Sequence, residues 1–588
     1  MSSTFLGIEI GKSGLAAAQI AINITGQNIS NADTAGYTMQ KVRTSAVEAA
    51  GGGYVISQIT SASNVGQGVT VLSIDQVRSA YLDEQYRDQY SDFCSSEFMT
   101  QGLSYLENLF NETDDDTSIT TSIKSFFDAL SEFSDDTTSE AARTTVQQTA
   151  LSLTSNFNMI YTEMVDLYND QNTSVQTVAT QINVVASQIA ELNKQISEYE
   201  RSGESANDLR DERNLALDKL SGYAAISYNE DEKGMVNVYL GGETLVDGKT
   251  VSEIQITTAT DEINTICQQL ASLNTEISGT AGGITVEQAA QRDSLTEALE
   301  AISGKITCDV DGSDGTVSVS INYVDQDTAT QKTDSLVSGG SYTETTSGAV
   351  TEYDGADDEF VLKLGSTYLG AENVGSGELY SHLALRDNET ADNSGIPYYI
   401  SMLDGLAQTM SETVNACMNK GYTYPDEENG DTSVSEIDMF EDFGNDYSLI
   451  TAGNFSLSEA VQESVWNIAG SSEQINLDSE SGTTNAANNE IALELSELMN
   501  TNSYSDSLNS LISQLGLEVQ SSQSALDLRQ SLTESIENQR QSISGVSIDE
   551  EAVNLIKYEQ VYSACSRVIT TIDDMLDRLI NSTGRVGL

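Results

Sequence analysis

The sequence predicts a mainly α protein with an α+β outer part: terminal helices forming a coiled-coil-like core, a helical-bundle middle domain, and a duplicated helix–helix–β-hairpin outer module. Three observations predict it. Apolar residues recur every seven positions near both ends of the 588-residue chain, the pattern of helices that bury one seam against another helix. A helical hairpin followed by alternating strands occurs twice, about 81 residues apart. Helical patterns then return from about Ala486 onward, leaving mixed structure only in the middle.

The first element begins with GIEIGKS at 7–13. A phosphate-binding loop is written G-x-x-x-x-G-K-[ST] and needs a buried strand feeding into it. Gly7, Gly11, Lys12 and Ser13 are one residue short of that spacing, and only Met1 to Leu6 precede them. The stretch instead reads as a lead-in, with Gly11 and Gly14 where a mobile terminus passes into a helix. That helix carries Leu15, Ile22 and Ile29 at heptad spacing, with the small Ala18 and Thr25 between them. NADTAGYT then stops it: Asn31 can cap, Asp33 and Thr34 can make side-chain turns, Gly36 supplies a free φ, and Tyr37 anchors the exit.

Further in, Val175, Ile182, Ile189 and Ile196 fill one heptad position, and Val178, Val185, Leu192 and Tyr199 the other. The run ends at RSGES, and NDLRDERNLALDKLSG reads as the second helix of a hairpin. VNVYL and TLV around Gly241-Gly242 read as a β-hairpin. The pattern returns at Ile263, Ile266, Leu270, Leu273 and Ile277, and then at Gly315, Val317, Val319 and Ile321, predicting a tandem copy that ends near residue 335. A Ser/Thr/Gly/acid stretch at 336–358 reads as an exposed linker. Helices are expected around Leu379–Leu385 and Tyr399–Met418. The C-terminal helix has the cleanest seam: Leu555, Tyr562, Ile569 and Leu576 at one position, and Tyr558, Cys565, Ile572 and Leu579 at the other. Such seams close either within one subunit or between subunits, and composition does not choose.

Charge narrows the function classes. The formal net charge is -65, so phosphodiester backbones and anionic lipid surfaces are repelled, and neither nucleic acid nor membrane insertion is expected. Residues 1–43 carry a net of +1 and 545–588 a net of -3; nearly neutral ends on a highly acidic body suit ends buried against partners. No run of 18 apolar residues occurs, and no basic stretch with an apolar core opens the chain, so neither a membrane span nor a cleaved signal peptide is expected. Five dispersed cysteines form no C-x-x-C pair and read as packed thiols. No catalytic residue or cofactor is expected: the sole histidine, His382, lies in an apolar helical stretch, and no G-x-S-x-G elbow is present. No metal site is assigned; the one alternative is Asp309-Val310-Asp311-Gly312-Ser313-Asp314-Gly315, whose oxygens suit calcium without the spacing of an EF-hand.

The stretch Asn28-Ile29-Ser30-Asn31-Ala32-Asp33-Thr34-Ala35-Gly36-Tyr37 resembles the N-I-x-N-x-x-T-x-G-Y signature of bacterial flagellar axial proteins. Ser544-Gly545-Val546-Ser547-Ile548-Asp549-Glu550-Glu551 and the helix after it resemble the C-terminus of one family among them, the hook-associated FlgK proteins of the hook–filament junction. Two internal blocks are similar to that family: Asn207-Asp208-Leu209-Arg210-Asp211-Glu212-Arg213, and Gly377-Glu378-Leu379 with Leu383, Arg386, Asp387, Ile396 and Pro397. The resemblance implies a secreted structural protein of the extracellular flagellum, exported by the flagellar type III apparatus with a small chaperone near its C-terminus. It implies terminal helices, mobile in the free monomer, that assemble into a ring between the hook protein and a second junction protein. The axial assembly interface would then comprise Leu15, Ile22, Ile29, Asn31, Thr34, Gly36 and Tyr37 with Leu555, Tyr558, Tyr562, Cys565, Ile569, Ile572, Leu576 and Leu579.

On this reading residues 1–78 with 540–588 form the axial core, 79–254 with 359–539 the helical body, 255–335 an outward-facing module and 336–358 the linker. The chain departs from the family's pattern in its second module, and in the short acidic segment between Tyr422 and Leu449 where many members carry an outer β domain. Two alternatives stay open: another axial component, such as a hook or rod protein, and a junction protein whose outer module also acts as an adhesin.

Overall fold

The computed structural model describes residues 4–47, 68–110, 118–279, 284–313, 315–325, 330–351, 353–391, 393–425, 432–475, 485–502 and 504–582. The chain opens with α1 (Thr4–Ser30), strands β1 (Gln40–Ala46) and β2 (Val69–Gln76), and helices α2 (Ala80–Phe110), α3 (Ile119–Asp135) and α4 (Glu140–Tyr199). After α5 (Asn207–Tyr223) come β3 (Ile226–Glu230), β4 (Val236–Leu240), β5 (Glu243–Asp247) and β6 (Thr250–Val251). Strand β7 (Gln255–Thr258) leads to α6 (Ala259–Gly279), α7 (Val286–Ile302), β8 (Ile306–Val310), β9 (Val317–Asp325), β10 (Thr330–Ser338) and β11 (Ser341–Tyr342). The short α8 (Ser347–Val350), β12 (Phe360–Leu364), β13 (Thr367–Tyr368), α9 (Ala371–Val374), α10 (Glu378–Asp387), β14 (Glu389–Thr390) and β15 (Asn393–Ser394) follow. Helices α11 (Ile396–Met418), α12 (Glu459–Glu463), α13 (Glu490–Asn502), α14 (Tyr504–Ser544) and α15 (Ile548–Ser582) complete it. Among the described residues no helix is long and apolar enough to cross a membrane.

Two compact units divide the chain. The first comprises 1–93, 182–253 and 528–588, and the second 94–181 and 254–527. In the first, α1 pairs with α15 and β1 with β2, and Asn193 near the end of α4 hydrogen-bonds α5 and a four-stranded antiparallel sheet ordered β3-β4-β5-β6. The division read from the sequence placed 182–253 with the helical body. In the structure α5 hydrogen-bonds the loop after α1 instead, which ties the hairpin to the terminal helices.

The second unit is a helical bundle with a small α/β module. Its main core gathers Phe126, Phe127 and Phe133 of α3, Phe157 and Met164 of α4, Tyr399 and Leu403 of α11, and Phe440 and Phe455 from the irregular segment before α12. Arg143 of α4 is fully buried there without a carboxylate. Its guanidinium donates to Thr137 O at 3.0 and 2.8 Å and to Ile468 O at 2.5 Å, and lies over the rings of Phe133, Tyr424 and Trp466. Burial without an anion lowers its pKa to about 9. Two carbonyls and three rings therefore substitute for water around the charge. Between Tyr422 and Leu449 the described residues make isolated bridges, Tyr422 with Ser435 and Ser471, and Phe440 with Leu457.

The module has its own core, with Ile263, Ile266, Cys267 and Leu270 of α6 against Leu299, Val317, Val319 and Ile321. Both helix-helix units end in a four-stranded meander where a hairpin was expected, the second ordered β8-β9-β10-β11. One asparagine locks each. Asn193 donates to Val236 O and Gly248 O and accepts from Val236 N; Asn274 donates to Val317 O and Gly339 O and accepts from Val317 N. The expected linker at 336–358 is a further correction. Residues 336–338 finish β10, and Leu336, Val337, Ala349 and Val350 are buried in the module core. Composition marked the stretch as exposed because the few apolar residues that hold it in place are diluted by Ser, Thr and Gly.

Candidate assembly site

Helix α1 ends as its residues dictate. Asn31 Nδ2 donates to Gln27 O at 3.0 Å, Thr34 Oγ1 to Asn31 Oδ1 at 3.2 Å, and Tyr37 N to Thr34 O at 3.1 Å. Gly36 takes φ +78°, and a Cβ there would lie 3.3 Å from Leu215 Cβ, so both its backbone conformation and its closeness to α5 favour glycine. The structure thus brings Asn31, Thr34, Gly36 and Tyr37 into one turn.

The turn folds back onto Asn28, which is 1% exposed. Its Oδ1 accepts from Tyr37 OH at 2.9 Å and Gln40 N at 3.1 Å, and its Nδ2 donates to Gln40 O at 3.0 Å and to Glu551 Oε2 at 3.1 Å. A primary amide has two donor hydrogens and one two-lone-pair acceptor, so these four bonds use its full capacity. Glu551 sits in the first turn of α15, and Ser547 precedes it, its carbonyl accepting from Glu551 N at 2.9 Å. The backbone adds Met39 N to Ser544 O at 2.8 Å.

The N-D-L-x-D-x-R block supplies the other wall. Asn207 Nδ2 donates to Ile74 O at 2.8 Å, Gln40 Nε2 donates to Asp208 Oδ1 at 3.0 Å, and Asp211 Oδ2 accepts from Thr38 N at 3.1 Å. Arg213 reaches the other way, to Asn193 Oδ1 and Gly234 O. Burial pushes the Asp211 carboxyl up to about 6, against the opposing pull of Thr38 and of Arg78 3.7 Å away. Burial, with Asp208, Asp211 and Glu551 nearby, raises the Tyr37 phenol. That phenol stays protonated and keeps donating to Asn28. Below, Asp218 takes Arg87 at 2.7 Å and Arg540 of α14 at 2.8 Å.

Helices α1 and α15 run antiparallel. A Cβ on Gly7 would lie 2.7 Å from Ile572 Cδ1, on Gly11 2.8 Å from Ile569 Cγ1, and on Gly14 2.8 Å from Cys565 Sγ. Gly7, Gly11, Gly14, Ala18, Ala21, Thr25 and Asn28 continue as one heptad stripe, and Ala18, Ala21, Thr25 and Asn28 are buried. Small residues let the backbones approach closely enough for the large α15 side chains to fill the gap. Leu555, Tyr558, Tyr562, Cys565, Ile569, Ile572 and Leu576 are half-buried along α15, and the side chain of Leu579 lies outside the described residues. Leu15, Ile22 and Ile29 are half-buried too, but each sits one position, about 100°, round α1 from the small stripe. The face of α1 that meets α15 is therefore the glycine and alanine stripe. GIEIGKS is already helical, and its glycines are contact points where a lead-in was expected.

Sequence reasoning also passed over Gln40 and the exposed Val561, Val568 and Met575 of α15. The last three are 43, 47 and 61% exposed, and their seven-residue spacing was a visible signal. His382 is buried, with Nδ1 2.7 Å from Gln171 Oε1 and its ring against Phe98, a packing position. Asp311 closes the turn before β9, its Oδ1 accepting from Ser313 N at 2.7 Å and from Ser313 Oγ; Asp314 lies outside the described residues. No group of three metal-binding side chains occurs among the described residues.

The family description "Flagellar hook-associated protein FlgK helical domain" matches residues 103–260 and 252–432. "Flagellar basal body rod FlgEFG protein C-terminal" matches 537–582, and "Flagella basal body rod protein" matches 8–38. The chain is 28% identical over 597 residues to flagellar hook-associated protein 1 of Bacillus subtilis (strain 168), covering 99% of each chain. It is 25% identical to the protein of that name from Salmonella typhimurium, covering 98% of this chain and 99% of that one. The solved flagellar hook junction protein FlgK from Burkholderia pseudomallei shares the fold, with a TM-score of 0.50 at 14% identity over 78% of this chain and all of that one. The helical-domain match spans more than half of the sequence, and the two rod-type matches fall on α1 with its turn and on α15. The chain belongs to the flagellar hook-associated protein FlgK family.

Proposed function

We propose that this chain is a structural component of the bacterial flagellum that forms the hook–filament junction ring by self-assembly through α1 and α15. The observation that carries the reading is the second apolar stripe on α15. Val561, Val568 and Met575 flank the seam that α1 covers, and a two-helix pair leaves them in water. Copies side by side around an axis would bury them, together with Leu15, Ile22 and Ile29. The nearly neutral ends favour that arrangement, because like charges crowded around a narrow axis would repel. The hook protein on one side and a second junction protein on the other are the partners this position requires. Export through the flagellar type III apparatus with a small chaperone delivers the subunit to its extracellular place. We read the two helix–helix–meander units as tandem copies, supported by the matching bonds of Asn193 and Asn274, with the second copy facing outward.

The test is genetic. Deleting the gene is expected to leave hooks without filaments and flagellin secreted as monomer. An allele carrying Val561→Ser, Val568→Ser and Met575→Ser is expected to give a folded, exported subunit that does not restore filaments. Normal filaments in the deletion strain would overturn the junction role, and normal filaments from the triple variant would overturn the stripe as its interface.

A further inference from the structure

The two helix–helix–meander units differ in one dimension. In the first, β4 and β5 are 5 residues each and turn at Gly241-Gly242 directly after Leu240. In the second, β9 and β10 are 9 residues each, and pairing continues past Ile321 through Asn322, Tyr323 and Val324. The added length forms one wall of a cleft of about 550 Å³ within the second compact unit, with Tyr323 on that wall. The opposite wall is the bundle, with Tyr161 of α4 and Asp404 of α11; Tyr353, Asp354 and Glu389 line the space between. The volume lies in the range of small-molecule sites.

The lining narrows the ligand. Asp354, Glu389 and Asp404 offer acceptor oxygens, and the half-buried Tyr323 and Tyr353 offer ring surface. An anion is disfavoured by these carboxylates on a chain of net charge -65. The ammonium in the wall, Lys305, is engaged with Thr351 O at 2.6 Å. A purely apolar ligand would displace water from the carboxylates without supplying them a donor. A polyol satisfies the set, since each hydroxyl both donates and accepts and each pyranose ring has an apolar C–H face. We propose that this cleft binds a short neutral oligosaccharide, with Tyr323 and Tyr353 against its rings and Asp354, Glu389 and Asp404 accepting from its hydroxyls. Asp404 suits the role. Burial pushes its carboxyl up to about 7, and among the described residues its Oδ1 accepts from the backbone N–H of Ala452 at 2.6 Å. Near neutrality it can both accept from a hydroxyl and, when protonated, donate to one.

Titration calorimetry of the full chain at neutral pH, with maltotriose, cellotriose, triacetylchitotriose and spermidine as separate probes, tests this. Saturable one-to-one binding of at least one trisaccharide is expected. Tyr323→Ala should weaken it about tenfold or more, Asp404→Asn about fivefold, and Val286→Ser, on an exposed position of α7, not at all. Melting curves of each variant separate loss of binding from loss of folding, and Tyr323→Phe, which keeps the ring, should retain most of the affinity. Absence of saturable trisaccharide binding overturns the proposal, as does binding that Tyr323→Ala leaves intact. Binding of spermidine alone also overturns it, in favour of a cation site. Filament assembly is a separate readout, and Tyr323→Ala should leave it unchanged.

Discussion

Two alanine substitutions in α1 should act in opposite directions. Replacing an interior helical glycine with alanine stabilises a helix by about 1 kcal/mol where the methyl has room. At Gly26 a Cβ would meet nothing within 4 Å, so Gly26→Ala should gain that amount. At Gly11 the methyl would lie 2.8 Å from Ile569 Cγ1, with Cys565 O behind it at 3.7 Å. Cγ1 is carried on the branched Cβ of Ile569, whose χ1 is held to one rotamer in a helix, so it cannot swing away as a side-chain tip could. Overpacking of this kind costs about 1–3 kcal/mol, which cancels or exceeds the propensity gain. The two variants should therefore differ by about 1–3 kcal/mol, or roughly 5- to 150-fold in the local opening equilibrium. Hydrogen exchange of peptides from α1 and α15 in the free subunit measures that equilibrium directly. Equal slowing of exchange by both substitutions would refute close packing of the glycine stripe on α15.

Asn28→Ala should destabilise the α1–α15 junction by about 3 kcal/mol, because Glu551 Oε2 and Gln40 N–H would lose their buried partner; faster exchange at both helix ends checks it. Arg143→Ala should cost about 3–5 kcal/mol by stranding the carbonyls of Thr137 and Ile468 and leaving a cavity among three rings, read as a lower urea midpoint. Asp404 has a carboxyl pKa raised from 3.8 to about 7, so the folded state holds its proton more tightly than the unfolded one. Its contribution to stability is complete below 3.8 and is lost as pH rises through 7, a loss on the order of 4 kcal/mol at most. Asp404→Asn should then melt higher than the parent chain at pH above 7 and at the same temperature near pH 4; a pH-independent difference would contradict this assignment.

The C-terminal seam was legible because seven large residues at a/d spacing stand out against a polar background. Its partner was not, since Gly7, Gly11, Gly14, Ala18 and Ala21 carry almost no hydropathy signal; small size, which no periodicity of apolarity measures, is what the contact requires. The eye falls instead on Leu15, Ile22 and Ile29, one position round the helix. The turn after α1 was legible residue by residue, because Asn31, Thr34 and Gly36 act through local geometry. The Asn28–Glu551 bond was invisible for the opposite reason, joining residues 523 apart with no local pattern between them. The end of strand β10, 336–338, was missed because one buried pair, Leu336-Val337, is all that marks it among polar residues.

That separation has a consequence for the order of events. The glycine stripe of α1 has nothing to pack on until α15 exists and can reach it, and closing so long a loop gains nothing until the final contacts form. A chain emerging N-terminus first, or one cut short before residue 551, holds α1 without its complement. The helix pair is thus a length check written into packing: only a chain that already includes α15 can close the glycine stripe of α1.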